Sequence, residues 1–254
     1  MILVTGATGI LGRVIVLELL KRGKTVRATK RKSSNLQEVR KSFQFYTETP
    51  NEYFDSIEWI EVDFEDIHSL QNALNGVEEV YHCAAKVSFH PKDEKKMYQT
   101  NIEGTKQLLF ACQNSSVKKF LFVSSIAVLD GLNENGELDE SSDFNPKIDH
   151  SAYAISKHFS EMEVWRASAE GLNTVIVNPG IIIGSGNWKE SSGTLFMEFE
   201  KNVYTFSGGT SYVDVRDVAQ ISIELMEKNI FGERFILISE NKKYQDVANF
   251  IKQK

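Results

Sequence analysis

Short apolar runs and amphipathic stretches alternate along the chain from its first residues. Ile2 to Thr5 is a β-prone run that ends in a glycine-rich turn, and Val14, Leu17, Leu19 and Leu20 then recur at helical spacing. Alternation returns between Lys24 and Lys30 through Val26 and Ala28, before a polar stretch from Ser33 to Asp55 that reads as a partly helical excursion. Ile57 to Val62 is the next strand candidate. Ile67, Leu70 and Leu74 form a short helical stripe, and Val77 to His82 reads as a further strand. This rhythm predicts β-α-β units and a parallel sheet.

The second half continues the pattern. Ser88 to Pro91 breaks the periodicity, and Met97, Ile102, Leu108, Leu109 and Cys112 mark a long helix that contains Gly104. A glycine inside a helix costs about 1 kcal/mol relative to alanine, which points to close packing or ligand approach there. Phe120 to Val123 is a strand ending at Ser124-Ser125, and Leu129 to Asp149 is a polar loop suited to form a site wall. Ser151 to Ala169 reads as a helix, and Leu172 to Val177 as a strand running into Asn178-Pro179-Gly180.

From Gly184 to Gly209 the composition shifts to Gly, Ser and Asn, and a mobile substrate-facing segment with a short helix is expected. Phe196, Phe199 and Phe206 there read as core, and Trp188 as a candidate lid residue. Val215 to Lys228 predicts a helix, Arg234 to Ile238 a late strand and Tyr244 to Lys254 a last helix. The chain stops just after the inward-looking Val247, Phe250 and Ile251 without a C-cap, which reads as truncation.

Composition narrows the classes. At 254 residues, with 41% hydrophobic side chains, the chain is long enough for one large core or two smaller ones. Two cysteines, Cys83 and Cys112, give no disulfide framework, so a reducing, cytoplasmic setting is expected. The opening MILVTGATG has neither the basic flank nor the apolar run of a secretory leader. No apolar run approaches the ~20 residues of a bilayer span. A net charge of −6 argues against sequence-independent nucleic-acid binding.

Gly6, Gly9 and Gly12 stand between a strand and an amphipathic helix. That placement suits a dinucleotide: one glycine frees the turn, one admits the pyrophosphate to the backbone, and one lets helix and strand pack closely. At the end of the second strand, Thr29-Lys30-Arg31-Lys32 offers cations where an NAD site expects an acid for the ribose 2′-hydroxyl. Arg31 is thus a candidate fork for a 2′-phosphate, with Arg13 placed to approach from the other side. Asp63 is a candidate acceptor for the adenine amino group, or else a helix cap.

Tyr153 and Lys157 are four residues apart on one helical face, and Ser125 follows a strand that ends at the same sheet edge. A lysine ammonium beside a tyrosine favours the phenolate and lets it exchange a proton near neutral pH, with Ser125 holding the reacting oxygen. Lys157 is also placed to bond a nicotinamide ribose. His82 lacks a compact His/Cys/Asp cluster, so a hydrogen-bonded core role is expected and no catalytic metal.

Together these motifs resemble the extended branch of the short-chain dehydrogenase/reductase family. The matching residues are Thr5 to Gly12, Asp63, His82-Cys83-Ala84-Ala85, Asn101 with Gly104-Thr105, Val123-Ser124-Ser125, Tyr153 to Lys157, Asn178-Pro179-Gly180 and Tyr212 to Asp217. Within it, Val26 to Arg31 is similar to the dihydroflavonol-reductase-like group, whose arginine at the Arg31 position favours NADPH. The resemblance implies a doubly wound α/β Rossmann fold: a dinucleotide-binding domain over 1–178 and a small, truncated, mainly substrate-binding region over 179–254, with 210–238 partly returning to the core. It implies Ser125, Tyr153 and Lys157 as the catalytic set, with Tyr153 the acid/base.

The cofactor contacts expected from these matches are Gly6, Thr8, Gly9, Ile10, Leu11, Gly12, Arg31, Asp63, Phe64, Ala84, Ala85, Lys86, Asn101, Ser124, Tyr153, Lys157, Pro179 and Ile182. The expected activity is NADP(H)-dependent reduction of a ketone or aldehyde, with a homodimer formed along 98–112 and 153–169. Two alternatives stay open: a nucleotide-sugar epimerase or dehydratase with tightly bound NAD, and a non-catalytic dinucleotide sensor. Leu129-Asp130-Gly131 replaces the Tyr-Gly frequent after this strand, which weighs against the sugar enzymes.

Overall fold

The computed structural model describes residues 1–186, 192–202 and 207–253. Seven parallel strands form the main sheet: β1 (Ile2–Thr5), β2 (Val26–Lys30), β3 (Glu58–Glu61), β4 (Glu79–His82), β5 (Lys119–Val123), β6 (Asn173–Pro179) and β9 (Glu233–Leu237). Their order is β3-β2-β1-β4-β5-β6-β9, so the direction of winding reverses between β1 and β4. In sheets of this kind the crevice at the carboxyl ends beside that reversal receives the ligand.

Both faces of the sheet are covered, which explains the near-continuous apolar runs of its inner strands. Val4 on β1 and Val175 and Val177 on β6 pack toward α1 (Ile10–Lys21), α2 (Leu36–Ser42), α3 (Pro50–Asp55) and α9 (Val215–Glu227). On the opposite face, Leu3, Val80, Phe120 and Phe122 pack against α4 (Ile67–Ala73), α6 (Gly104–Gln113) and α7 (Ala152–Ala169). Ser151 starts α7 by accepting the amide of Ala154 on its hydroxyl, which fixes the phase at which later side chains meet the sheet edge.

The long helix expected around Gly104 is α5 (Glu94–Tyr98) running into α6 through a π turn at Gln99–Glu103. Gly104 packs on Phe64, but a Cβ there would meet that ring at an ordinary 3.5 Å, so tight approach is not what selects the glycine. The polar excursion is indeed partly helical, as α2 and α3 with a 3-10 turn at Phe43–Phe45 between them.

Past β6 the chain builds a second, three-stranded sheet from β7 (Ile181–Ile183), β8 (Gly209–Asp214) and β10 (Glu240–Lys243), ordered β10-β8-β7. These strands were not legible as such: β10 is Glu-Asn-Lys-Lys, exposed throughout, and owes its form to antiparallel pairing with β8. Helices α8 (Ser192–Lys201) and α10 (Tyr244–Lys252) meet beside it, with the rings of Phe199 and Tyr244 6.1 Å apart. Phe199 is buried, as expected of a core residue, whereas Trp188 and Phe206 lie outside the described residues. Among the described residues no helix is long and apolar enough to cross a membrane.

Phe120 has no exposed surface and underlies the α6–α7 face. Phe120→Ala is expected to lower stability by about 3–5 kcal/mol in urea unfolding, and a loss under about 1 kcal/mol shows that this face is not packed as described.

Candidate active site

The glycine turn joins β1 to α1 at the switch point. Gly6 has φ +64°, and a Cβ on it would lie 2.6 Å from the Ala84 amide nitrogen, so only glycine fits between β1 and the exit of β4. Gly12 faces the Gly6 carbonyl oxygen, 2.3 Å from where its own Cβ would be, which lets helix and strand close together. Gly9 is exposed and is the N-cap of α1, with no side-chain cap and no acid in the first turn. Helix geometry leaves the amides of Ile10, Leu11 and Gly12 without intrahelical acceptors. A cradle of close backbone and free donors at a positive helix end fits a dinucleotide pyrophosphate. Thr8 and Ile10 are partly exposed at this turn, while the Leu11 side chain is in the core.

The exit of β4 is fixed by buried hydrogen bonds. The Thr5 hydroxyl lies 2.6 Å from Nδ1 of His82, and the Thr105 hydroxyl 3.0 Å from Nε2, so the imidazole ties β1 and β4 to α6. Burial, with Lys157 nearby, pushes the His82 pKa down to about 3, and the ring stays neutral. Asn101, buried in the π turn, accepts the Lys86 amide at 2.7 Å and donates to the Lys86 carbonyl at 3.0 Å and to the Ser156 hydroxyl at 2.9 Å. It thereby fastens the segment carrying Ala84, Ala85 and Lys86 to α7. Lys86 itself pairs with Asp93 at 3.0 Å. Among the described residues no group of three or more His, Cys, Asp or Glu is placed to hold a metal ion.

Ser125, Tyr153 and Lys157 meet at the carboxyl end of β5. Burial pushes the Tyr153 phenol up to about 12, and the nearby Ser125 hydroxyl opposes that rise. Phe89, largely exposed, sets its ring edge-on to Tyr153 at 6.2 Å. Lys157 is 2% exposed. Its ammonium donates to the Val123 carbonyl at 2.7 Å and lies 4.0 Å over the Phe122 ring. Burial pushes it down to about 7, against the attraction of Glu161. The expected ammonium beside a tuned phenolate is therefore not what this state shows: Tyr153 is a protonated phenol near Ser125, and Lys157 is turned to the end of the strand.

At the exits of β2 and β3 the outcome is divided. Arg31 is exposed, its backbone amide held by the Ser34 hydroxyl at 3.0 Å, and among the described residues its guanidinium has no ion-pair partner. Arg13 does not reach outward as expected. It is wholly buried, forked onto Glu38 at 2.7 and 2.9 Å and bonded to the carbonyls of Thr8 and Gly9. Asp63 accepts the Glu65 amide at 2.9 Å and is exposed, whereas the cap of α4 is Asp66. Phe64 lies 5.9 Å from the His82 ring. Pro179 is buried at the end of β6, and Ile182 packs partly buried on the core. Ser124 is buried, its amide on the Val177 carbonyl.

Three residues near this site escaped the sequence reading: Glu161, Arg234 and Glu38. Only Glu161 left a signal, its spacing of four beyond Lys157.

A reversal-point crevice with a glycine cradle and a Ser-Tyr-Lys set defines a dinucleotide-binding α/β enzyme. The chain belongs to the NAD dependent epimerase/dehydratase family, which matches residues 2–237, and so to the NAD(P)-dependent oxidoreductases of that superfamily. It is similar to sterol demethylase protein B of Methylococcus capsulatus, 31% identical over 242 residues that cover 94% of this chain and 70% of the relative. Anthocyanidin reductase of Arabidopsis thaliana is 28% identical over 275 residues, covering 99% and 79%. The crystal structure of gox2253 has a TM-score of 0.85 at 29% identity, covering 100% of this chain and 74% of the other.

Lys157→Met is expected to stabilise the cofactor-free protein by roughly 0.5–2 kcal/mol near neutral pH. The sign follows from a folded pKa of about 7 against 10.5 unfolded: the folded state carries the full cost of the buried charge below 7 and sheds it as pH rises to 10.5. Urea unfolding at several pH values checks this, since the gain must shrink steadily between those limits.

Proposed function

We propose that the chain is an NADP(H)-dependent reductase that converts a ketone or aldehyde to an alcohol. The observation that carries the reading is the grouping of Ser125, Tyr153 and Lys157 at the carboxyl end of β5, on the same sheet edge as the glycine cradle. A nicotinamide dinucleotide, when bound, supplies or accepts the hydride. The amides of Ile10, Leu11 and Gly12 bind its pyrophosphate, and Arg31 forks onto the 2′-phosphate. Ser125 holds the carbonyl oxygen of the substrate, and the Tyr153 phenol donates its proton to that oxygen. A phenol pushed up to about 12 remains protonated at neutral pH, the state that reduction requires.

Lys157, released from the Val123 carbonyl, bonds the nicotinamide ribose and stabilises the tyrosinate left after proton transfer. Residues 179–254 form mainly the substrate-binding region, with 210–238 partly returning to the core, and Phe89 and the 129–149 loop line the substrate side. The exposed Phe110 on α6 and Phe159 and Met162 on α7 support a homodimer along these helices. Similarity to anthocyanidin reductase, at 28% identity, favours reduction over sugar epimerisation.

Tyr153→Phe is expected to keep NADPH affinity within about threefold while hydride transfer to a screened carbonyl substrate falls at least about 10²-fold. Unchanged turnover rejects the role of the phenol. Calorimetric titration is expected to show NADPH binding at least about tenfold tighter than NADH, with Arg31→Ala erasing the difference. Purified protein that retains NAD and turns over nucleotide sugars without added NADPH overturns the reductase reading.

A further inference from the structure

The chemistry above leaves one buried charge unused. Glu161 follows Lys157 by one turn of α7, so Tyr153, Lys157 and Glu161 stand at i, i+4 and i+8 on one face. It is 2% exposed. Nδ2 of Asn178 donates to Oε1 of Glu161 at 2.7 Å, and the same nitrogen donates to the Ser125 carbonyl at 3.1 Å. Nη1 of Arg234 lies 3.6 Å from Oε2, while the rest of that guanidinium bonds the carbonyls of Glu140 and Ser142. Glu161 is therefore joined on one side to Ser125 and on the other, through Arg234, to the loop that walls the site.

We propose that Glu161 is a positioning residue: its buried carboxylate keeps Lys157 an ammonium and, through Asn178, fixes the backbone of Ser125. The assignment deepens the reductase reading and rests on the roles given there to Ser125 and Lys157. No ion pair joins the two side chains, since the ammonium donates to Val123, so the attraction acts across an interior where charges are weakly screened. The other groups facing Lys157 offer little. From β4 and its exit come the neutral His82 and the Cys83 thiol, which burial pushes up to about 12; from β5 come only a ring and a carbonyl; from α7 comes the protonated Tyr153. Burial raises the Glu161 carboxyl itself, and Ser124, Asn178, Arg234 and Lys157 hold it back.

The test is a 13C titration of the lysine side chains in the cofactor-free protein, with Lys157→Met identifying the one signal that titrates near neutral pH. Glu161→Gln, which keeps an acceptor for Asn178, is expected to lower that midpoint by about one pH unit or more, a tenfold change in the protonation equilibrium. Glu161→Asp, which keeps the charge, must move it less. The alkaline limb of kcat/KM shifts to lower pH in the same order. An unchanged midpoint in folded Glu161→Gln protein overturns the assignment. Should that variant not fold, the Glu161 carboxyl carbon in the unsubstituted protein decides: an ionised signal at neutral pH upholds the assignment and a protonated one overturns it. Because the titration needs neither cofactor nor substrate, absence of reductase turnover counts against the proposed function alone.

Discussion

Lys157 carries its ammonium into the end of a parallel sheet, where water does not reach, and a charge placed there is tolerated only if its surroundings offset several kcal/mol of lost hydration. The local structure is arranged around that need. The Val123 carbonyl accepts a hydrogen bond from the ammonium, and the Phe122 ring lies under it. His82 and Cys83, its neighbours on and after β4, are both held neutral by the same burial. Lys157, His82 and Glu161 are thus buried in one compartment, and a change in the charge of one alters the proton balance of the rest.

That compartment exists because β1 and β4 separate the two directions of winding and come close enough for Gly6 to touch Ala84. Its rim is cross-linked. Thr5, His82 and Thr105 cross-link two strands and a helix, and Asn101 locks the segment after β4 onto α7. In the proposed reaction, rigid placement lets the hydroxyls of Ser125 and Tyr153, on two different elements, act on one substrate oxygen. At the other end of the glycine turn, the Arg13–Glu38 fork braces the start of α1 against α2.

Much of this was written in local patterns. The strands β1, β4, β5 and β6 appear as apolar runs because both sheet faces are covered, and the Tyr153 and Lys157 spacing shows a shared face because a helix has one period. What stayed hidden depends on residues far apart in the chain. An arginine opening an amphipathic helix looks like an anion contact, yet Arg13 is buried because Glu38, 25 residues on, meets it. The proton states of Tyr153 and Lys157 cannot be read from their spacing, since they are decided by the strand ends that enclose them. A fully polar strand such as β10 has no periodicity to announce it and exists through its partner.

The π turn at Gln99–Glu103 has a consequence for how this scaffold tolerates length changes. A wide turn holds an extra residue, and that bulge delivers the Asn101 amide to the loop after β4. Deleting one residue there would regularise the helix at nearly unchanged phase, because the wide turn spends its extra residue on the bulge, so Leu108, Leu109 and Cys112 would stay on the sheet while the bulge at Asn101 is lost. The winding defect can therefore come or go without moving the apolar stripe downstream, and what it decides is where Asn101 is held.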